Sequence, residues 1–314
     1  MYKRQEFVAF SADSGTAYAT LQENNAVAVI DLATAEVTEV FGLGFKDYSL
    51  PGNEIDASDK DDRINIRNWS VFGTYQPDGF DTYEVNGTTY LVTANEGDGR
   101  EYESDSGDYV DEIRIKDLVA TQFTDELKEK LGTGFQDSEN LGRLLVITDL
   151  GLVDQAACSS LPVTGQPIDS NDNAVDGCVY EDLYSYGARS FTIWDMDTKR
   201  PVFDSGSDFE VITAQQLGSS FNASNDENDG DSRSDAKGPE PEAVEIAVIN
   251  DNTFAFIALE RVGGVMVYNI TNPQSAEFVQ YINPRDFSAD NDAVEANLAG
   301  PLGPEDIKLS LIHI

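Results

Sequence analysis

The stretch QPDGFDTYEVNGTTYLVTANEGD, residues 76–98, has a counterpart in EPEAVEIAVINDNTFAFIALE, residues 240–260. In each stretch a proline and an acid precede two runs of β-branched and aromatic residues, and an Asn-containing turn joins the runs. Asn-Gly in the first turn is a strong signal for a two-residue β-hairpin. Glu96 follows Pro77 by nineteen positions, as Glu260 follows Pro241. The sequence therefore predicts one hairpin that occurs twice, with acids at its open end.

Similar short runs recur along the 314 residues of the chain. They are rich in Val, Ile and aromatic residues and are separated by Gly, Asn and Asp, which is typical of strands and turns. We predict strands in NAVAVIDL (25–32), TYLVTAN (89–95), RLLVITDL (143–150), RSFTIWDM (189–196), TFAFIALE (253–260) and GVMVYNI (264–270). The clearest helix signal is TDELKEKLG (124–132), with Thr124 as N-cap and Gly132 as its end.

A strand cassette that recurs indicates a repeat architecture, and we expect an all-β fold of the β-propeller class, with about seven blades in the complete domain. A β-sandwich is the alternative. A third proline-acid start, Gly303-Pro304-Glu305, comes close to the end of the chain, so we expect the propeller to be incomplete here. Long polar insertions between the blades are predicted at 97–142, 153–182 and 218–240.

Charge narrows the classes of partner. Acidic residues outnumber basic ones 58 to 20, for a formal net charge of −38. Nucleic acid and anionic membranes are therefore unfavourable partners, whereas cations are favourable ones. The alternative is an acidic surface that only solvates the protein. No apolar run approaches the roughly 20 residues of a membrane span, so we expect none in this segment.

The two ends of the chain look foreign to the protein. MYKRQ (1–5) and LSLIHI (309–314) resemble the two translated orientations of a transposon mosaic end used in sequencing libraries. We therefore expect both to be adapter read-through and assign the single propeller domain to residues 6–308. The one histidine, His313, falls within the second of these ends.

Four long blocks of the sequence resemble the choice-of-anchor I domain family. They are residues 44–102, with DRINIRNWSVFGTYQPDGFDTYEVNGTTYLVTANEGDGREY, 183–195 (LYSYGARSFTIWD), 221–273, with KGPEPEAVEIAVINDNTFAFIALERVGGVMVYNITNP, and 280–290 (QYINPRDFSAD). The resemblance implies a bacterial β-propeller that is secreted or displayed on the cell surface, in some members described as mesenchyme-specific cell-surface glycoprotein-like or as alkaline phosphatase. It also implies that an anchor or a fused hydrolase domain can follow.

The proline-acid starts are the first candidate site. If each begins the innermost strand of a blade, Asp78, Glu242 and Glu305 converge at one mouth of the central channel. Converging carboxylates repel one another unless a cation neutralises them, and Ca²⁺ takes about six to eight oxygen ligands. We expect either a Ca²⁺ or ligand site, with Asp78 and Glu242 as ligands, or acids that only cap their own strands.

The acids at the ends of the second strands have basic neighbours. Glu96 precedes Arg100, and Glu260 precedes Arg261. We expect structural ion pairs or, if the four side chains line the channel, a mixed-charge pocket for a polar ligand.

Two acidic loops match part of a Ca²⁺-binding loop. The matching residues are Asp226 and Asn228 in 222–235, and Asp169, Asn171 and Asn173 in 169–177. Gly230 stands where the first loop needs a fifth ligand, and Tyr180 stands where the second needs its bidentate Glu. Each loop is either a Ca²⁺ site or a solvated acidic loop.

Cys158 and Cys178 lie within one polar insertion. Two cysteines in such a setting favour a disulfide and an oxidising compartment. We therefore expect an extracellular, cell-surface or periplasmic location.

Together these features favour a secreted or surface binding or scaffold module that is associated with Ca²⁺, with an unidentified surface protein or glycan as its partner. A metal-dependent phosphoesterase or other hydrolase is one alternative, and a purely structural spacer is the other. No catalytic residue is assigned, because residues 6–308 contain no histidine and no Gly-x-Ser-x-Gly elbow.

Overall fold

The computed structural model describes residues 7–102 and 108–310. Its strands are β1 Val8–Phe10, β2 Thr16–Leu21, β3 Ala26–Asp31, β4 Glu36–Gly42, β5 Phe45–Asp47, β6 Phe72–Thr74, β7 Phe80–Val85, β8 Thr88–Ala94, β9 Glu101–Tyr102, β10 Tyr109–Val110, β11 Glu112–Arg114, β12 Leu145–Ile147, β13 Tyr184–Ser185, β14 Phe191–Asp195, β15 Arg200–Asp204, β16 Pro241–Ile249, β17 Asn252–Leu259, β18 Val265–Asn269 and β19 Glu277–Ile282. Its α-helices are α1 Asp125–Leu131, α2 Leu161–Thr164, α3 Asp208–Leu217 and α4 Asn291–Glu295. Of the expected read-through segments 1–5 and 309–314, residues 1–5 and 311–314, with His313, lie outside the described residues.

Three four-stranded antiparallel sheets are the repeated units of the fold. The first meander is β1-β2-β3-β4, the second is β7-β8-β14-β15 and the third is β16-β17-β18-β19. The first strands of these meanders lie side by side, since β1 contacts β7 and β7 contacts β16. The fold is a β-propeller, as the repeated hairpin predicts.

A fourth sheet has a different construction. It runs β11-β12-β13-β6-β5, and its β13 is parallel to β6. Three of these strands come from the segment between β8 and β14, so residues 97–142 and 153–182 are inserted within the second meander and not between two blades. The expected position of these two insertions was wrong, because a run that ends in a turn does not tell which strand will pair next. Residues 218–240 do lie between two meanders, as expected.

The two hairpins predicted from the repeated stretches are present. In the first, Val85 pairs with Thr88 around Asn86 and Gly87, whose φ angles of 55° and 86° suit a type I′ turn. In the second, Ile249 pairs with Asn252 around two residues that also have positive φ. Both hairpins therefore have a tight turn at one end and their acids at the other.

One helix was predicted and a longer one was missed. α1 begins after Thr124, whose hydroxyl accepts a hydrogen bond from the amide of Leu127, and it ends at Gly132, as predicted. The ten residues of α3 carry no comparable cap, since Ser207 makes no side-chain capping bond. Packing stabilises α3, because Phe209 is fully buried against the second and third meanders.

The core lies between the meanders. Phe191 of β14 packs its ring 4.7 Å from that of Tyr268 of β18, and Phe209 of α3 lies 6.1 Å from each. Aromatic pairs in such geometry contribute about 0.5–1.5 kcal/mol beyond the burial of their area. This contact fixes the second meander against the third and so sets the separation of their inner hairpins.

Candidate functional site

The open ends of the two inner hairpins meet in one place. Asp78 lies two residues before the hairpin β7-β8 and Glu96 two residues after it, whereas Glu242 lies at the start of β16 and Glu260 directly follows β17. The first residues of strand one and the last residues of strand two are neighbours in any hairpin, so the spacing of nineteen positions brings each pair together. A backbone hydrogen bond of 2.8 Å from the amide of Gly79 to the carbonyl of Glu242 joins the two hairpins.

Asp78, Glu96 and Glu242 form a group that we call the open triad. Each offers a carboxylate oxygen within 4.8 Å of the other two. Glu96 and Glu242 are only 8% and 9% exposed, and Oε2 of Glu242 is buried with no hydrogen-bond partner among the described residues. Buried carboxylates at this separation need a proton or a cation between them.

Burial raises the pKa values of all three carboxyl groups of the open triad. Burial, reinforced by the negative charges of Glu96 and Asp78, raises the pKa of Glu242 to about 11. Burial also raises the pKa of Glu96, to about 7, and that of Asp78, which has a carboxylate oxygen within 4.8 Å of one from Glu242. Without a cation, Glu242 is therefore protonated at neutral pH.

Glu96, Glu240 and Glu260 form a second group, the paired triad, again with carboxylate oxygens within 4.8 Å of one another. The fully buried Glu240 is surrounded by cations, with Arg233 at 2.7 Å, Lys237 at 3.2 Å and Arg261 at 3.3 Å. Burial alone would raise the pKa of Glu240, but these three cations bring it below its usual value. The paired triad is already neutralised, whereas in the open triad only Glu96 has a cationic partner among the described residues, Lys237.

Lys237 connects the two triads. Its ammonium group pairs with Glu96 and with Glu240, and it donates a hydrogen bond of 2.8 Å to the carbonyl of Gly97. The negative charges of Glu240 and Glu96 outweigh the effect of burial and raise the pKa of Lys237, so this side chain is a permanent internal cation. Gln22 completes the surroundings by donating a hydrogen bond of 2.6 Å from Nε2 to Oε2 of Glu96.

Four of these residues were missed from the sequence: Gln22, Arg233, Lys237 and Glu240. Gln22 follows β2 of the first meander directly, in the position that Glu260 occupies after β17. This position after the second strand is the signal that could have identified Gln22. Arg233 and Lys237 come from the polar segment 218–240, whose path no local pattern predicts.

The other residues predicted for the channel mouth behave differently from one another. Arg261 pairs with Glu260 at 3.2 Å, as expected. Arg100 does not pair with Glu96 but with Asp111 and Asp149, at 2.6 Å each, because the chain turns at Gly97, where φ is 90°. Glu305 is exposed and makes no ion pair with any described residue, but its charge helps to raise the pKa of Asp78.

The two candidate Ca²⁺ loops use their polar groups internally. Oδ1 of Asp169 accepts hydrogen bonds from the amides of Asn171 and Asn173, at 2.8 and 3.0 Å. The carboxamide of Asn228 donates to the Ala289 carbonyl over 2.8 Å and accepts a bond from an arginine, whereas Asp226 is exposed. Within 7–102 and 108–310, neither loop brings three acidic ligands together, so both sites stay predictions without a supporting contact.

Cys158 and Cys178 form a disulfide, as predicted, and both are buried. The bond closes the insertion that carries Asp169 and does not contribute to either triad. None of the described helices is both long enough and apolar enough to cross a membrane.

Comparisons with known proteins identify the family. The model of the choice-of-anchor I domain matches residues 5–273. Gigasin-3a of Magallana gigas is 36% identical over 98 residues, which are 30% of this chain and 34% of that protein. The chain thus spans about a third of the length of this curated relative.

Two solved propellers cover most of the chain but superpose poorly. The β-propeller domain of Cps50 (Swd1) from Myceliophteria thermophila is 10% identical, covers 90% of this chain and 73% of its own, and has a TM-score of 0.20. The WD40 repeats of RRP9 are 12% identical, cover 88% of this chain and 65% of their own, and have a TM-score of 0.21. At such TM-scores neither supports an argument beyond the strand pairing described above.

Proposed function

The chain belongs to the choice-of-anchor I domain family, and we propose that it is a secreted or surface β-propeller module that binds Ca²⁺ through Asp78, Glu96 and Glu242. The family suggests a surface or secreted protein, and the strand pairing supplies the propeller. The cation is the part of the proposal that the geometry of the open triad supports.

One observation supports the cation above all others. Asp78 and Glu242 have carboxylate oxygens within 4.8 Å of each other, and no arginine or lysine pairs with either of them among the described residues. The contrast with Glu240 matters, because that acid, of the same hairpin, has three cations around it. A chain that neutralises Glu240 so completely and gives Asp78 and Glu242 no basic partner among the described residues is suited to a mobile cation beside these two acids.

The chemistry of the ligands selects the kind of cation. All three candidate ligands are carboxylates, and the described part of the chain contains no histidine or free cysteine. Hard cations with oxygen ligands therefore fit better than Zn²⁺ or Cu²⁺, and Ca²⁺ tolerates irregular geometry better than Mg²⁺ does. Arg233, Lys237 and Arg261 at the edge of the cluster would favour a partner with polar or acidic groups next to the cation.

Isothermal titration of chelator-stripped protein with CaCl₂ tests the proposal. We expect one site in the wild type and at least a tenfold loss of affinity in Asp78→Asn, which removes one carboxylate ligand. Glu84→Gln is the matched control, because Glu84 is exposed on β7, the strand that follows Asp78. Equal binding by wild type and Asp78→Asn would reject the open triad as the site.

A further inference from the structure

A cleft of about 400 Å³ lies between the first meander and the mixed sheet β11-β12-β13-β6-β5. Glu23 and Asn24, which follow β2, form one side, and Arg100 with Asp149 forms the other. No member of the open or the paired triad lines it. The cleft is thus a second candidate site, separate from the proposed cation site.

Several polar groups of the cleft have hydrogen-bonding capacity left over. Arg100 uses Nε for Asp111 and Nη2 for Asp149, and its Nη1 donates to no described residue. Oδ1 of Asp149 has no partner among the described residues, although the atom is buried. Glu23 accepts a hydrogen bond from Tyr102 through one oxygen only, and the carboxamide of Asn24 is exposed. The cleft therefore offers both donors and acceptors.

The charges of the cleft exclude anionic ligands. The carboxylates of Glu23, Asp111 and Asp149 outnumber the single guanidinium of Arg100, which already pairs with two of them. A phosphate, a sulfate or a uronic acid would meet net negative charge, and the described residues of the cleft offer no free cation to neutralise it. The described residues also bring no three acidic ligand atoms together here, which disfavours a metal.

The floor of the cleft is apolar. Ile147 of β12 is almost fully buried there, and the ring of Phe45, 45% exposed, packs 4.6 Å from that of Tyr184. Clefts of this volume with an apolar floor and a few convergent polar groups are typical of small-molecule sites. A sugar ring combines both properties, since its C–H faces are apolar and each hydroxyl both donates and accepts.

We propose that this cleft binds a neutral saccharide. The hydroxyls would donate to the free oxygen of Glu23, and they would accept from Nη1 of Arg100 and from Asn24. The C–H face of the ring would cover Phe45. The proposal is independent of the Ca²⁺ site, because the two sites share no side chain.

Titration with a panel of saccharides tests this proposal. Saturation-transfer NMR and calorimetry detect the binding. The panel contains glucose, galactose, mannose, N-acetylglucosamine, cellobiose and diacetylchitobiose, with galacturonic acid as the anionic control. We expect at least one neutral sugar to bind with a Kd below about 10 mM, in EDTA as well as in Ca²⁺, and galacturonic acid not to bind. Absence of binding by every neutral sugar, or tighter binding of galacturonic acid, would overturn the proposal.

Variants then locate the site on the protein. Asn24→Ala and Glu23→Gln should each weaken binding of the best sugar about fivefold, because the first removes a donor and the second replaces a charged acceptor oxygen with an amide donor. Gln216→Ala on the exposed face of α3 is the control and should bind as the wild type does. Unchanged affinity in both cleft variants would place the sugar elsewhere and contradict the proposal.

Discussion

The amide of Gly79 donates a hydrogen bond of 2.8 Å to the carbonyl of Glu242, and this bond links the inner hairpins of two neighbouring blades. A Cβ atom at Gly79 would lie 2.5 Å from that carbonyl oxygen and 2.7 Å from Cα of Ala243. Only glycine allows this approach, and the approach places Asp78 beside Glu242. Because the hairpin is repeated, this contact between two copies brings their carboxylates together in one cluster.

Gly79→Ala should separate the two hairpins. We expect a loss of about 1–3 kcal/mol in the free energy of unfolding, from overpacking against backbone, and roughly tenfold weaker Ca²⁺ binding. Urea denaturation and calorimetry measure the two effects. Gly42→Ala is the control, since no atom lies within 4 Å of its added Cβ. Full Ca²⁺ affinity in Gly79→Ala would show that the contact does not position Asp78.

The stability of the metal-free protein should fall as pH rises. An unfolded Glu ionises near 4.5, whereas Glu242 in the folded chain keeps its proton to about pH 11. Between these values the folded state binds more protons than the unfolded state, so its stability decreases by up to about 1.4 kcal/mol per pH unit. Urea denaturation in EDTA at pH 6, 7 and 8 should show this slope in the wild type and a smaller one in Glu242→Gln. Parallel profiles for the two proteins would contradict the raised pKa.

Lys237→Met should convert the paired triad into a site that responds to cations. In EDTA we expect a loss of about 3–5 kcal/mol, because Glu96 and Glu240 lose a buried partner. Ca²⁺ should restore part of the melting temperature, since the oxygens of Glu96, Glu240 and Glu260 lie within 4.8 Å of one another. Lys116→Met, at an exposed lysine, is the control. If Ca²⁺ raises the melting temperature of Lys237→Met no more than that of the wild type, Ca²⁺ does not replace the lysine ammonium in the paired triad.

Removal of the disulfide should cost stability and leave the cation site intact. The double variant Cys158→Ser, Cys178→Ser should lose about 3 kcal/mol in the free energy of unfolding. Without the disulfide, the loop between these positions is no longer closed, so the unfolded chain gains conformational entropy. Its affinity for Ca²⁺ should equal that of the wild type. A lower affinity in calorimetry would show that the insertion supports the open triad.

The parts of this site that belong to the repeated hairpin could be predicted from the sequence. The spacing from Pro77 to Glu96 and from Pro241 to Glu260 predicts two hairpins with acids at their open ends, and the structure brings Asp78, Glu96 and Glu242 together there. Such a repeat is readable because hairpin pairing depends on local turns, here the Asn-Gly turn.

The unrepeated parts were not predictable. Lys237 and Arg233 reach the cluster from an irregular segment whose course depends on tertiary contacts, such as the bond from Arg233 to Glu240. Arg100 is only four residues after Glu96 in the sequence, but the turn at Gly97 directs it into the mixed sheet. The prediction that Arg100 pairs with Glu96 was therefore wrong, because it relied on proximity along the chain, whereas the direction of the backbone decides which acid Arg100 meets.

A crystal soaked in MnCl₂, a cation whose anomalous signal identifies it at a Ca²⁺ site, tests the central claim most directly. We expect one anomalous peak at roughly 2.0–2.6 Å from carboxylate oxygens of Asp78, Glu96 and Glu242, and its disappearance when CaCl₂ is added in excess. A peak at the Asp169 or Asp226 loop with none at the open triad, or no peak at all, would contradict the account.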